Sequence, residues 1–221
     1  MMKPSHHPND ELIMGYAAAT LSEGAALVIG VHMAVCEQCR ARVETYEAVG
    51  GAVLDALEPA QMLPDSYAKV LQRIDAEAEP ALPVAASMDE IAPEIALGVP
   101  VPAVLREYRI GRWRALAPGL KFSRITSRKK SSMNLFMLRA APGMSLFEHG
   151  HSGDEYLCVL KGSFTDQDGR HQPGDMAIAD PGIEHKPIVD RDGECICVIA
   201  LEGKLRLRSV IGRVLQPVYG I

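Results

Sequence analysis

The chain has 221 residues, 48% of them hydrophobic and 5% aromatic, with a formal net charge of -5 at pH 7. That length suits one or two domains with real cores, and no apolar run is long enough to cross a bilayer. The start, MMKPSHHPNDEL, lacks the basic-then-apolar pattern of a secretory signal, so the expected location is the cytoplasm. Charge is uneven. Residues 1–80 carry 12 acidic and 5 basic side chains (-7), residues 81–104 add -3, and residues 105–221 carry 13 acidic and 18 basic (+5). The acidic N-terminal part is a poor nucleic-acid binder and suits a basic partner, although a solvated acidic helical surface accounts for the same charges.

Residues 9–79 read as helical. ELIMGYAAA follows Asp10, a good N-cap, and Thr20-Leu-Ser-Glu23 matches a capping box opening a second helix. In that helix Leu21, Ala25, Val28 and His32 fall on one stripe, which turns His32 toward the core. A third helix carries Cys36 and Cys39 to about Leu57, with Gly50-Gly51 as a candidate break. Pro64-Asp65-Ser66 opens a fourth, through Val70, Leu71 and Ile74. Four helices with short links imply a small bundle with few large apolar residues, which a metal staple would help to hold.

VHMAVCEQCR contains His32, Cys36 and Cys39 as H-x3-C-x2-C. On continuous helical backbone, positions i, i+4 and i+7 share one face. Imidazole and thiolate suit Zn²⁺, which takes four ligands in a closed structural site. The string supplies three. His6 and His7 are the upstream candidates for the fourth, and chemistry alone does not choose between them. The five cysteines are an odd number. In a reducing compartment, with two at metal spacing, ligands or reactive thiols are favoured over a disulfide framework.

Residues 80–104 are broken by Pro80, Pro83, Pro93, Pro100 and Pro102 and read as a linker, within which MDEIAPEIAL could form a short docking helix. From about residue 105, short apolar runs alternate with Gly, Pro and Asp turns: NLFMLRA, EYLCVLKG, DMAIAD, CICVIAL and KLRLRSV. That pattern predicts a β-sandwich or barrel. Cys195 and Cys197, at i and i+2, project to one face of a strand and are poorly placed for an unstrained disulfide; burial as small apolar residues accounts for them, whereas a redox role needs exposure. Cys158 and Trp113 read as core, His171 in DGRHQPGD as surface, and Arg128-Lys129-Lys130 as a solvated loop rather than a DNA-binding element.

Gly143 to Gly162 reads G-x5-H-x-H-x3-E-x6-G, and Gly174 to His185 reads G-x5-D-x-G-x2-H. On a strand, His149 and His151 point to the same side. The two strings resemble the paired motifs of the cupin superfamily, a jelly-roll β-barrel, with Asp180 where the family usually has Pro. The resemblance implies one divalent metal, expected to be Zn²⁺, on His149, His151, Glu155 and His185.

The whole chain resembles the ChrR-type anti-sigma factors. The carriers are the His pair near the start, YAAATLSEG, the H-x3-C-x2-C string, the proline-rich linker, both cupin motifs and Cys195-Ile-Cys197. The implied architecture is a two-domain α + β protein: a zinc-binding helical domain over 1–79, a linker over 80–104 and a cupin domain over 105–221. The implied zinc ligands are His7, His32, Cys36 and Cys39. The implied partner is a group IV (extracytoplasmic-function type) sigma factor, kept from core RNA polymerase and released under oxidants such as singlet oxygen, with the cupin domain needed for the response. The competing expectation is a cupin dioxygenase or isomerase using Fe²⁺, Mn²⁺ or Ni²⁺ at the barrel site, which three His and one Glu could support. The N-terminal metal string argues against a plain enzyme.

Overall fold

A computed structural model describes residues 3–76, 102–126, 134–146, 149–182, 186–203 and 205–207; for 149–151 and 205–207 it describes the backbone only. The greater part of the proposed linker, including MDEIAPEIAL, lies outside these residues, as do Arg128-Lys129-Lys130 and His185.

Four helices come first: α1 (Asp10–Ala17), α2 (Glu23–Met33), α3 (Glu37–Asp55) and α4 (Ser66–Ala76). Their starts sit slightly off the expected caps. Asn9, not Asp10, caps α1 by accepting from Leu12 N, and Ser22, not Thr20, caps α2 by accepting from Ala25 N. In each case the capping side chain is the one followed at three residues by a free helical N–H. Asp10, one residue inside, ties α1 to α3 instead, through an ion pair with Arg42 and a 3.0 Å hydrogen bond from the Tyr46 hydroxyl. The helix α3 runs unbroken through Gly50 and Gly51, so the expected break is absent; both glycines face open space and cost only helix propensity.

Helix α2 is buried on every side. From Gly24 to Met33 all residues but Ala26 are buried, so the expected single stripe understates it; a helix apolar all round belongs in an interior. Gly30 lets a 3-10 turn at Ala103–Glu107 come close: a Cβ there would stand 3.3 Å from Val104.

The C-terminal part is a cupin-like β-sandwich. Its strands are β1 (Arg109–Ile110), β2 (Arg114–Ala117), β3 (Leu120–Thr126), β4 (Asn134–Ala140), β5 (His149–His151), β6 (Glu155–Lys161), β7 (Phe164–Asp166), β8 (Gly169–His171), β9 (Met176–Ala179), β10 (Ile188–Val189), β11 (Cys195–Leu201) and β12 (Leu205–Leu207). The main sheet runs β1-β3-β4-β11-β6-β9, with β2 beside β3; β10-β7-β8 and β12-β5 form smaller antiparallel sheets. Strand β11 is central and wholly buried. Ile196, Val198 and Ala200 face the core shared with α2, while Cys195, Cys197, Ile199 and Leu201 face the sandwich interior. Because both faces are covered, CICVIAL reads as a continuous apolar run rather than an alternation. The α2 side chains Ala25, Val28 and Ile29 belong to the same core cluster as Met137, Cys158 and Val198 of the sheet. The helices are therefore a layer on the sheet, and α4 is the exception, with no buried residue.

Candidate metal centre

The His32, Cys36 and Cys39 side chains converge, but not on one helix. His32 lies in the last turn of α2, Cys36 is the N-cap of α3 with extended backbone (φ -102°, ψ 99°), and Cys39 lies in the first turn of α3. The chain turns between them, closed by Arg40, whose guanidinium donates to Met33 O at 2.6 Å. The expected i, i+4, i+7 face is thus replaced by a helix-turn-helix corner. The N-terminal end of α3 points the Cys39 N–H at the Cys36 sulfur, which accepts it at 3.4 Å.

The fourth member is His7. Its Nδ1 lies 3.4 Å from both Cys36 Sγ and Cys39 Sγ, and His32 Nε2 lies 3.3 Å from Cys39 Sγ. All four candidate ligand atoms lie within 4.8 Å of one another. A tetrahedral Zn²⁺ with bonds of about 2.3 Å to sulfur and 2.0–2.1 Å to nitrogen holds N and S about 3.5 Å apart. Both the spacing and the donor set therefore fit one such ion. His6 turns the other way. Its ring lies 4.2 Å from that of His171, and its Nδ1 is 3.4 Å from Asp175 Oδ2.

Protonation suits ligation. His32 Nδ1 is 2.6 Å from Gly174 O. A carbonyl only accepts, so Nδ1 carries the proton and Nε2 presents its lone pair to the cluster. Burial pushes His32 below the ordinary histidine value, outweighing the opposing bond to Gly174, and this favours the neutral ring. Burial and the neighbouring Cys36 thiol push Cys39 up to about 11, so an arriving cation must displace a proton from it.

The four cupin-motif residues are less fully placed. His149 and His151 begin and end β5. Glu155 opens β6 and is buried. His185 lies outside the described residues. Cys195 and Cys197 are buried and free, with sulfurs 3.6 Å apart, and Cys158 is buried beneath α2. Trp113 is only partly buried but packs on the core.

His171 departs from the expected surface position: it is 2% exposed, its Nε2 contacts Asp166 Oδ1 at 3.1 Å, and its ring stacks on Phe164 at 4.6 Å. The polar turns around it hide a three-residue strand, β8, whose last side chain points inward. Sequence reasoning also passed over Asp175. It is 1% exposed and accepts from Ser5 N, His6 N and Gln172 N at 2.5, 3.0 and 2.8 Å. Burial pushes its carboxyl up, but those donors outweigh it and hold the group below the ordinary range.

A helical layer with a His₂Cys₂ corner, laid on a cupin-like sandwich, is the architecture of cupin-bearing anti-sigma factors. Residues 104–203 match the family model of the ChrR cupin-like domain. The sequence is 33% identical over 222 residues, covering 98% of each chain, to anti-sigma-E factor ChrR of Cereibacter sphaeroides. The fold matches the crystal structure of Rhodobacter sphaeroides SigE in complex with the anti-sigma ChrR at a TM-score of 0.70 and 32% identity, covering 90% of this chain and all of that one. This chain belongs to the ChrR family of anti-sigma factors.

Proposed function

We propose that this protein sequesters a group IV sigma factor, keeping it from core RNA polymerase, and releases it under oxidative stress such as singlet oxygen. One observation carries the sequestration. From the second half of α3 through α4 the chain exposes Leu54, Leu57, Met62, Leu63, Tyr67 and Ile74, each 62–74% accessible. So many large apolar side chains exposed along one stretch of chain suit a surface that a partner covers. The helix α4 has one apolar face and no buried residue, the form of a helix that docks in a groove. Family membership supplies the partner's class, and the acidic charge of residues 1–80 suits a basic one.

In this reading His7, His32, Cys36 and Cys39 hold a structural Zn²⁺ that fixes the corner between α2 and α3. A second divalent ion, Zn²⁺ by family resemblance, sits on His149, His151, Glu155 and His185, and the cupin domain is needed for the stress response. The division into 1–79, 80–104 and 105–221 belongs to the same reading, as does a cytoplasmic location, where core RNA polymerase works. Among the described residues no helix is long and apolar enough to cross a membrane. The protein acts by binding, as a regulator and not as a catalyst.

The test is to purify the tagged full-length protein from its own cells, with and without chelator, and identify what accompanies it by mass spectrometry. The expected result is one group IV sigma factor, lost on zinc removal. If none appears under either condition, the reading fails.

A further inference from the structure

Two of the four candidate ligands are also held by the sandwich. The agent is one turn, Gln172–Asp175, leading into β9. Gly174 O accepts from His32 Nδ1 at 2.6 Å. The Asp175 carboxylate accepts from Ser5 N, His6 N and the Ser5 hydroxyl, and Met176 N donates to His6 O at 3.1 Å. Residues 5–6 are thereby tied to the sandwich at three backbone positions, and the next residue is His7. The turn is packed tightly against both ligand-bearing segments. Gly174 has φ +93°, and a Cβ there would stand 2.8 Å from Val35 and 2.9 Å from Pro4. Val35 lies in the α2–α3 corner and Pro4 in the arm that leads to His7. Cys36 and Cys39, by contrast, are placed by the start of α3.

We infer that the Gln172–Asp175 turn forms the supporting shell of the metal centre, with Gly174 and Asp175 as positioning residues that set how long the ion stays bound. The inference rests on the metal reading of His7, His32, Cys36 and Cys39. Partners that orient ligating histidines typically contribute 10–100-fold to metal affinity. Here they come from the other part of the chain, 142 residues from His32 and about 170 from the arm. Any rearrangement of the sandwich that shifts this turn frees the His32 ring and the arm that carries His7 together, and so loosens two of the four ligands of a closed site. The coupling is also reciprocal, so metal loading must tighten the turn as much as the turn tightens the metal.

The experiment is zinc release from the loaded full-length protein to a chromophoric chelator, comparing wild type, Asp175→Asn, Asp175→Ala and the control Asp190→Asn. Asp190 accepts from Ser163, Thr165 and Arg170, none of them a residue of the turn. Both Asp175 variants are expected to release zinc roughly 10–100-fold faster, and the control at the wild-type rate. With Co²⁺ in place of zinc, the visible d–d bands shift in Asp175→Asn and not in the control. Wild-type release rates and unshifted bands in folded Asp175→Asn overturn the inference.

If the variants do not fold, hydrogen exchange on wild type decides. The His6, Gln172 and Met176 amides must exchange at least tenfold faster after zinc is stripped, and unchanged protection overturns the inference. If wild-type protein binds no zinc that depends on Cys36, the metal reading itself has failed, and the inference with it.

Discussion

Ser22 Oγ donates to Glu202 Oε1 over 2.8 Å, joining the N-cap of α2 to the residue that follows β11. With His32 bound to Gly174 at the other end, α2 is pinned to the sandwich at both termini. Between these pins its apolar side chains fill the interior shared with the sheet. We expect Ile29→Ala, at a site with no exposure, to cost about 2–5 kcal/mol. Helix and sheet signals should shift to the same lower denaturant midpoint; separate transitions would show that the two layers fold apart.

Stripping the metal is expected to lower thermal stability measurably. Free zinc a thousandfold above its dissociation constant adds about 4 kcal/mol, or roughly 8–16 °C in Tm for a chain of this size. In Cys36→Ser the Tm should no longer respond to zinc or chelator. A calorimetric scan with and without each decides it, and an unchanged zinc dependence would exclude Cys36 as a ligand.

On the exposed face, Leu71→Glu and Ile74→Glu should leave folding stability within about 0.5 kcal/mol, since neither side chain is buried. The same changes are expected to weaken sigma-factor binding by tenfold or more, the loss for a central interface anchor being about 2 kcal/mol or above. Titration calorimetry against the co-purified sigma factor measures this; undiminished affinity would move the interface elsewhere.

Acid should destabilise the sandwich through two carboxylates. Burial raises Asp190, but Ser163, Arg170 and Thr165 outweigh it; burial raises Glu194, but Lys161 and Arg139 outweigh it. Both carboxyls therefore titrate lower folded than unfolded. Their stabilisation is whole above the unfolded values of about 3.9 and 4.3, and it drains away as pH falls through the lowered folded values. The double variant Asp190→Asn, Glu194→Gln should show a shallower loss of stability between about pH 5 and pH 2, read from denaturant midpoints across that range.

Much of this molecule is legible in its sequence because local pattern and environment agree. NLFMLRA, EYLCVLK and CICVIAL stand as β4, β6 and β11, and H-x3-C-x2-C forms a corner of the candidate metal centre. What resisted reading depends on distant partners. Nothing near Asp175 in sequence marks it, since two of its donors lie at Ser5 and His6. The choice between His6 and His7 rests on the sandwich beside them, because His171 and Asp175 draw His6 away from the cysteines. His171 itself was obscured by polar neighbours whose strand is three residues long.

The two faces of the main sheet separate the protein's thiols. All five are buried, but they occupy two compartments: Cys36, Cys39 and Cys158 in the core shared by α2 and the sheet, and Cys195 and Cys197 inside the sandwich. An alkylating reagent reaches each compartment only when that compartment opens. The order in which the thiols become labelled is therefore a built-in chronometer of how this molecule comes apart, with no probe added to the chain.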